Sequence, residues 1–596
     1  MLSLQHMNTK QIQTKWNLNL FYKSDTDPQI KKDMELVEKD YDAFVKKYAY
    51  KKDYLIDEKK LLKALKDYET LLDLPVHKPF KYFFFRLDID SSDAAVRAHL
   101  ASTTEWLNKQ SNKLVFFTLA LTHIESRLQK KYLASKVLSH YRYFLKCIFE
   151  QSKHVLTEKE EQLLTMISMP AHRLWVQGTE KILNTKTVTW KGKQLPLTEA
   201  QSIIFGLSTK DRHVLGKSIN TALMSLGDIA ESEINAIVTG KKIEDELRGY
   251  TKPYEATVCG YQNELDTVEN LVSTVTKNFK IGHRFYAIKA KMLRLKTLTY
   301  WDRGASVGDN TTQISFEKAF DIVQKAFNKV DPIYGNMFEQ FFIKGHVDVF
   351  PKVGKRGGAY SAGGGKIPTM MLLNHTPDFR SITILAHEMG HSFHSELSKA
   401  QSPLYQDYTI SAAEVASTLF ENFVFDELLP TLSPREQIVA LHNKISDSVS
   451  TVFRQIACFN FEYELHMQIR EKGSISKKDI VLLLNKHMNS YLGPQFKLTE
   501  DDGYFFVSWN HIRRFFYVYS YAFGALISDA LYVMYKKDKG FEKKIRDFLS
   551  AGGSASPEDI FAGIGINVRD PKFFELGLKK IEADIEKLEV LVKKSW

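Results

Sequence analysis

Hydrophobic and polar residues recur with helical spacing along most of the chain. Early in the sequence this pattern predicts helices over Asp33–Lys47, Glu58–Leu72, Ala94–Ser111 and Val115–Gln129. Further on, it predicts long helices over Lys210–Thr239 and Val268–Lys291, and helices continue to the lysine-rich end at Trp596. The pattern therefore indicates a mainly α protein.

Three segments depart from this pattern. The aromatic run KYFFFRLDID, Lys81–Asp90, suits either a strand or a buried helix. TVTWKGKQLPL, Thr187–Leu197, alternates and contains turn residues, which predicts a hairpin and a candidate domain boundary. The glycine-rich segment 346–374 predicts a small β-sheet. We therefore expect an N-terminal helical domain over residues 1–200 and a second domain over residues 201–596.

Composition excludes several classes of protein. The 596 residues are 44% hydrophobic and 26% charged, as in ordinary globular proteins. The net charge of +11 is spread over 82 basic and 71 acidic residues without an arginine-rich stripe, so nucleic acid is not an expected partner. No apolar run is long enough to cross a membrane, and the first residues do not look like a signal peptide. The three separated cysteines indicate reduced thiols and a cytoplasmic location.

The segment ILAHEMGHSFHSEL contains the strongest chemical signal, His387, Glu388 and His391 in the order H-E-x-x-H. On a helix the two histidines lie on one face, about one turn apart, where both rings can bind one zinc ion. Glu388 can then accept a proton from a water at that ion. Thr376 or Asp378 is expected to cap this helix. A chance match is the alternative, but an unpaired glutamate in such an apolar helix is costly, which favours a metal site.

A catalytic zinc needs a third protein ligand. His394 is on the same face but another turn along, and one rigid helix does not easily bring all three rings to one ion. In the next predicted helix, within Tyr408–Leu428, Glu414 and Glu421 are two turns apart and share a face. One of them can bind the ion while the other orients a ligand. Gly390 is interpreted as removing a side chain beside the ion.

These residues carry a family resemblance. HEMGHSFHS followed by EVASTLFENF resembles the thimet-oligopeptidase family of zinc peptidases, and its oligopeptidase F branch in particular. Further similar blocks are WNLNLFY, INAIVTGKKIEDELRGYTKPYEATV, GKRGGAYS, HIRRFFYVYSYAFG and FLSAGGSASPEDIFAGIGI, so the resemblance spans nearly the whole chain. It implies one zinc ion per chain, held by His387, His391 and Glu414. It also implies that Glu388 is the general base, and Glu421 is the expected orienting residue.

The resemblance implies a fold and an activity. The fold is a helical, two-part, clam-like metallopeptidase with a small sheet beside the H-E-x-x-H helix and a deep substrate channel. Residues 1–200 are then part of the channel wall, and residues 201–596 are the catalytic domain. The implied function is a zinc endopeptidase that cuts internal bonds of short, unstructured oligopeptides, with zinc-activated water and Glu388 as the base.

Two further groups are implied to contact the substrate. His511 and a tyrosine near it are expected to contact the transition state; we favour Tyr517, with Tyr519 and Tyr521 as alternatives. The segment GKRGGAYS is expected to bind the peptide backbone as an added strand, since glycines permit close approach. Its substrate-binding residues are Gly357, Gly358, Ala359 and Tyr360. Glycines 363–365 are interpreted as a plain turn or a mobile loop.

The chain departs from the family pattern outside the metal set. Arg513, Arg514 and Phe515 stand where the family often has a proline, Asn567 stands where it often has aspartate, and YWDRGASV lacks the usual proline. Two other functions are alternatives. One is a peptidase that trims peptide ends with the same metal set, and the other is a helical binding protein with a decayed site. The intact set of His387, Glu388, His391 and Glu414 argues against the second.

Overall fold

Helices form most of the chain in the computed structural model, which describes residues 12–308 and 313–596. The prediction of a mainly α fold with small β-sheets is confirmed. Up to the first hairpin and the helix after it, the helices are α1 (Pro28–Tyr48), α2 (Glu58–Leu72), α3 (Lys78–Ile89), α4 (Ala94–Thr122), α5 (Ser126–Ala134), α6 (Arg142–Ser152), α7 (Glu158–Ser168), α8 (Leu174–Thr185) and α9 (Leu197–Ile203).

Long helices continue on both sides of the second sheet. The helices before it are α10 (Thr209–Met224), α11 (Gly227–Arg248), α12 (Glu255–Gly260), α13 (Leu265–Lys277), α14 (Lys280–Met292), α15 (Phe316–Val330) and α16 (Pro332–Ile343). The helices after it are α17 (Phe379–Ser398), α18 (Ile410–Leu428), α19 (Pro434–Ser448), α20 (Gln455–Lys472), α21 (Lys477–Leu492), α22 (Tyr519–Lys537), α23 (Phe541–Ser550), α24 (Pro557–Gly563) and α25 (Pro571–Ser595). In the described part of the chain, no helix combines the length and apolarity that a bilayer span requires.

Tertiary packing changed several predicted helix boundaries. The two helices predicted between Ala94 and Gln129 are largely one helix, α4, because buried positions such as Gln110, Leu114 and Phe117 continue the helical period across the predicted gap. The predicted helix Lys210–Thr239 is divided between Met224 and Gly227, and the predicted helix Val268–Lys291 is likewise divided into α13 and α14. The undecided segment KYFFFRLDID is helical, within α3.

Two small sheets complete the fold. The predicted hairpin is present as β1 (Thr187–Trp190) and β2 (Lys193–Pro196), and Lys191 and Gly192 turn between them with φ of 49° and 75°. The second sheet contains β3 (Val347–Asp348), β4 (Tyr360–Gly364) and β5 (Ile367–Leu372) in the order β3-β5-β4. β5 runs parallel to β3 and antiparallel to β4, so β4 is an edge strand.

The described residues form two compact units, and neither follows the predicted boundary at residue 200. Unit 1 comes from Met1–Lys153, Thr312–Leu428 and Met534–Gly565, and unit 2 comes from His154–Thr311, Leu429–Val533 and Ile566–Trp596. Each unit is therefore assembled from three separate segments of chain. The assignment of residues 1–200 to a channel wall, and of residues 201–596 to catalysis, stays a prediction.

The α17–α18 pair lies in unit 1 and positions the H-E-x-x-H residues. A side chain at Gly390 would meet the backbone of α18, since its Cβ would lie 2.6 Å from Ser417 Cα and 2.8 Å from the Ala416 carbonyl oxygen. The missing side chain of Gly390 therefore lets two helix backbones come into contact. Its interpretation as removing a side chain beside the ion stays a prediction.

We expect Gly390→Ala to push α18 away from α17. Because the atoms that would clash belong to the backbone, the cost should be about 1–3 kcal/mol of unfolding free energy. Affinity for a divalent metal should also fall, because Glu414 on α18 would move away from His387 and His391. Chemical denaturation and zinc titration against a chelator measure the two effects.

The matched control is Gly178→Ala in α8, where nothing lies within 4 Å of the added Cβ. This substitution should stabilise the helix by about 0.5–1 kcal/mol. If Gly390→Ala is as well tolerated as Gly178→Ala, then close contact at Gly390 is not required.

Candidate active site

Helix α17 places the side chains of His387 and His391 on the same face. The Asp378 side chain caps the helix by accepting a hydrogen bond from the Ser381 N–H, as expected from the sequence. His387 and His391 lie one turn apart, with their Nε2 atoms 3.2 Å from each other. Glu388 lies beside them and is only 7% exposed. The helix therefore presents two imidazole nitrogens to the same small volume.

Helix α18 adds a carboxylate to the pair of rings. Glu414 Oε2 lies 3.8 Å from His387 Nε2 and 3.3 Å from the Ser417 hydroxyl, which donates to it. One ligand atom from each of His387, His391 and Glu414 lies within 4.8 Å of the others. Two imidazole nitrogens and one carboxylate oxygen at this spacing fit a divalent cation of the zinc type.

Glu421 fixes the orientation of the His387 imidazole. Its Oε1 lies 2.5 Å from His387 Nδ1, and the Nδ1–H donates a hydrogen bond to this carboxylate. The Nε2 atom of the same ring therefore faces the other two candidate metal ligands, His391 and Glu414. Hydrogen bonds of this kind set the tautomer of a ligating histidine. The sequence did not decide which of the two glutamates faces the metal. The structure places Glu414 beside His387 Nε2 and Glu421 beside His387 Nδ1, on the opposite side of the ring.

Burial and charge shift the pKa values of these groups in different directions. Burial alone would lower the pKa of His387, but the hydrogen bond to Glu421 and the nearby carboxylates raise it to about 9. Burial and the charge of His387 lower the pKa of His391 to about 3. Burial and the charge of Glu414 raise the pKa of Glu388 to about 7, against the effect of His387. The site therefore concentrates negative charge that a cation would offset.

His394 does not join this donor set. Its ring stacks on Tyr408 at 3.5 Å between centroids, with an angle of only 4° between the planes. The side chain is 1% exposed, and its Nδ1 has no hydrogen-bond partner among the residues that the structure describes. It therefore packs in the core of unit 1, one turn beyond the candidate ligands.

We expect Glu414→Ala and Glu421→Ala to weaken metal binding to different degrees. Glu414→Ala removes a candidate ligand and should cause the larger loss, whereas Glu421→Ala only frees the His387 ring and should cost about 10- to 100-fold in affinity. Competition with a chelator, using zinc as the probe, measures both.

Glu427→Ala is the control on the same helix, since Glu427 pairs with Lys325 and Lys329 instead. It should leave metal affinity unchanged. Equal affinities for Glu414→Ala and Glu427→Ala would exclude Glu414 from the ligand set.

The glycine-rich segment leads into edge strand β4 of the same unit. Gly357 and Gly358 have room around their Cα atoms, and Gly358 has a φ of 81°, which favours glycine. The Tyr360 hydroxyl donates a hydrogen bond of 2.6 Å to Asp88, and this contact inside unit 1 holds the tyrosine side chain in place. The Ser361 and Ser392 hydroxyls lie 2.9 Å apart and join β4 to α17. Of the glycines predicted to form a turn, Gly363 and Gly364 belong to strand β4, and Gly365 alone lies in the reversal between β4 and β5.

Unit 2 contains the other predicted group. The Tyr517 hydroxyl forms a short hydrogen bond with His511 Nδ1, and the Tyr521 hydroxyl lies 3.5 Å from that of Tyr517. Tyr519 is buried and donates to Asn263 at 3.0 Å. Burial and the charges of Arg454 and Arg514 lower the pKa of His511 to about 4. Of the three tyrosines, Tyr517 and Tyr521 therefore accompany His511, whereas Tyr519 belongs to the core.

A strained turn positions Tyr517. Phe515 and Phe516 have φ values of 45° and 62°, a region that non-glycine residues rarely occupy. The Thr257 hydroxyl donates to the Phe515 carbonyl at 2.9 Å, and the Phe516 N–H donates to the buried Glu462 carboxyl at 2.8 Å. Such strain persists where surrounding contacts hold the backbone firmly, and it is common at functional sites.

Arg513, one of the positions that depart from the family pattern, anchors the same segment. Its guanidinium donates two hydrogen bonds of 2.7 Å to the fully buried Glu233 carboxylate. It also donates to the carbonyls of Val507 and Trp509. Neither the pairing nor its partner was predicted, because the two residues are 280 positions apart.

We expect Arg513→Met to destabilise unit 2 strongly. The substitution leaves the Glu233 carboxylate buried without a counter-charge, which should cost about 3–5 kcal/mol of unfolding free energy. Arg513→Met combined with Glu233→Met should cost less than Arg513→Met alone. Arg514→Met at the exposed neighbour is the control and should cost little. Equal loss in Arg513→Met and Arg514→Met would refute the importance of the pair.

The fold and the His–His–Glu donor set define a metallopeptidase, and comparison with known proteins agrees. A model of peptidase family M3 matches residues 230–579, more than half of the chain, so the chain belongs to that family. A model described as oligopeptidase F matches residues 121–186. The predictions of an oligopeptidase F resemblance and of a peptide-bond hydrolase are therefore confirmed.

Named relatives match over most of their length. The chain is 27% identical over 487 residues to oligopeptidase PepF of Bacillus subtilis, covering 79% of this chain and 72% of that protein. It is 25% identical over 559 residues to group B oligopeptidase PepB of Streptococcus agalactiae, covering 91% and 92%.

Solved structures share the fold. A crystal structure from Chlamydophila abortus has a TM-score of 0.87 at 22% identity, covering 97% of this chain and 98% of that one. Oligoendopeptidase-F from Enterococcus faecium has a TM-score of 0.67 at 18% identity, covering 95% and 98%. At these identities the likeness concerns the fold alone.

Proposed function

We propose that this protein is a zinc endopeptidase that hydrolyses internal bonds of short, unstructured oligopeptides. The observation that supports this best is the set of donor atoms from His387, His391 and Glu414, all within 4.8 Å of one another. Glu421 is the residue that orients His387. The chemistry of the donors favours one zinc ion per chain, because imidazole with carboxylate is a common zinc ligand set. The names of the oligopeptidase relatives support short peptides as substrates.

When bound, zinc activates a water molecule as the nucleophile and polarises the peptide carbonyl. Glu388 is the general base. Its carboxylate accepts a proton from the attacking water and delivers that proton to the leaving amine nitrogen. Its position beside His387, on the helix that carries both candidate histidine ligands, supports this role.

Two other groups bind the substrate in this proposal. The residues Gly357, Gly358, Ala359 and Tyr360 lead into the edge strand β4 of a three-stranded sheet, and an extended peptide can add to such an edge through backbone hydrogen bonds. His511 and Tyr517 donate hydrogen bonds to the oxyanion of the transition state. The hydrogen bond between these two side chains supports their acting together, and so does the turn before Tyr517, which is held by a hydrogen bond to Glu462.

We also propose a cytoplasmic location. The chain has only three cysteines, Cys147, Cys259 and Cys458, and they are widely separated in the sequence, as expected for a protein in a reducing compartment.

We expect Glu388→Gln to retain zinc and lose about 100-fold or more of its turnover, because the amide cannot accept the proton. The substrate should be an internally quenched peptide with both termini blocked. Cleavage of this peptide by the unmodified protein supports an endopeptidase, whereas cleavage only of peptides with free ends would identify an enzyme that trims peptide ends.

Glu396→Gln is the control on the same helix. Glu396 pairs with Thr369 and Lys399, so its substitution should leave turnover nearly unchanged. Zinc content is measured for each variant. A Glu388→Gln variant that hydrolyses the blocked peptide at the normal rate would exclude Glu388 as the base.

A further inference from the structure

Unit 2 contains two arginines that have no acidic partner in the described part of the chain. Arg303 lies in the short helix Tyr300–Gly304, within the segment YWDRGASV that departs from the family pattern. Arg454 ends the π-helical stretch Val449–Arg454, a rare geometry that often marks functional sites. Both guanidiniums face the ring of Phe505, at 5.9 and 5.1 Å from its centroid. The two cations therefore flank one aromatic side chain.

Other buried arginines of the same unit are paired. Arg212 donates to Asp302 at 2.8 Å, and Arg513 makes its bidentate contact with Glu233. In contrast, among the described residues Arg303 donates only to the Tyr300 carbonyl, and Arg454 makes no ion pair or hydrogen bond. Leaving a desolvated guanidinium unpaired is costly, so this arrangement points to a ligand.

Buried polar atoms without a partner in the described part of the chain also lie at this site. The Tyr300 ring stacks on Arg303 at 3.8 Å, and among the described residues its buried hydroxyl has no hydrogen-bond partner. The same holds for Arg454 Nε. Burial alone would lower the pKa of Arg454, whereas the neighbouring Cys458, Tyr300, Tyr491 and Tyr286 raise it. The groups whose charges act on Arg454 are thus a thiol and phenols, with no carboxylate among them.

The site is accessible and acts electrostatically on a proposed catalytic group. Arg303, Arg454 and Phe505 are each partly exposed. Stacking on aromatic faces leaves the N–H edges of a guanidinium free to donate. The charge of Arg454 also contributes to the lowered pKa of His511, so the guanidinium and the imidazole interact electrostatically. A carboxylate bound at the arginines would therefore also act on His511 through its charge.

We propose that Arg303 and Arg454 form a carboxylate-binding subsite for the peptide substrate. This two-arginine site would accept the C-terminal carboxylate or an Asp or Glu side chain, which share the planar geometry that a guanidinium binds with two hydrogen bonds. The inference rests on the proposed peptidase function and adds a preference to it. The net charge of +11 also favours acidic ligands.

The test uses the full-length zinc-loaded protein and matched peptides. In one series Glu replaces Gln at each position in turn, and in the other the same neutral peptide carries a free or an amidated C-terminus. The unmodified protein should show a kcat/KM about tenfold or more higher for one carboxylate-bearing peptide than for its neutral partner. The series in which the preference occurs identifies the source of the carboxylate.

Arg454→Met should reduce this preference towards a ratio of one, and Arg303→Met should reduce it in part. Arg454→Lys keeps the charge but not the planar pair of donors, so its ratio should lie between those of Arg454→Met and the unmodified protein. Arg284→Met is the control, because that guanidinium already pairs with Glu586 and Glu589. It should keep the full preference.

Thermal stability and zinc content are measured for every variant, and Arg303→Met and Arg454→Lys provide the test if Arg454→Met does not fold. Equal kcat/KM for every matched pair with the unmodified protein would overturn the subsite. So would an equal loss on acidic and neutral peptides in the arginine variants, which would make the arginines structural. Absence of cleavage of any peptide would instead refute the proposed function.

Discussion

The close contact between α17 and α18 is the constraint on which the candidate site depends. At Gly390 the two backbones approach so closely that a Cβ would lie 2.6 Å from Ser417 Cα. This contact sets the position of Glu414 relative to His387 and His391. It also brings Glu421 to the far side of the His387 ring, where it holds the imidazole in one orientation. A larger residue at position 390 would separate the ligands that the two helices bring together.

This packing places mutually unfavourable charges in a small, partly buried volume. Glu388 and Glu414 lie close enough for the charge of Glu414 to help raise the pKa of Glu388, and His387 in turn lowers the pKa of His391. Such an arrangement costs stability in the absence of a compensating ion. Functional sites commonly combine groups in this way, since reactivity depends on pKa values that differ from those in water. The rest of unit 1 has to supply the stability that this cluster removes.

Unit 2 shows two different uses of buried arginine. Arg513 is paired with Glu233 and fixes the strained segment that leads to Tyr517, so its role is structural. Arg303 and Arg454 have aromatic neighbours but no carboxylate partner among the described residues. The same side chain thus stabilises the backbone where its charge is neutralised and provides a binding surface where it is not.

The sequence alone determined the mainly α fold, the hairpin at Thr187–Leu197 and the placement of His387 and His391 on one helix face, and it narrowed the cap of that helix to Thr376 or Asp378. These features follow from local periodicity and spacing, which short segments encode directly. Tertiary structure decided which glutamate faces the Nε2 atoms, the close approach at Gly390 and the pairing of Arg513 with Glu233. It also decided that each compact unit is assembled from three separate segments. These features depend on contacts between residues far apart in the chain, and such contacts leave no local pattern in one sequence.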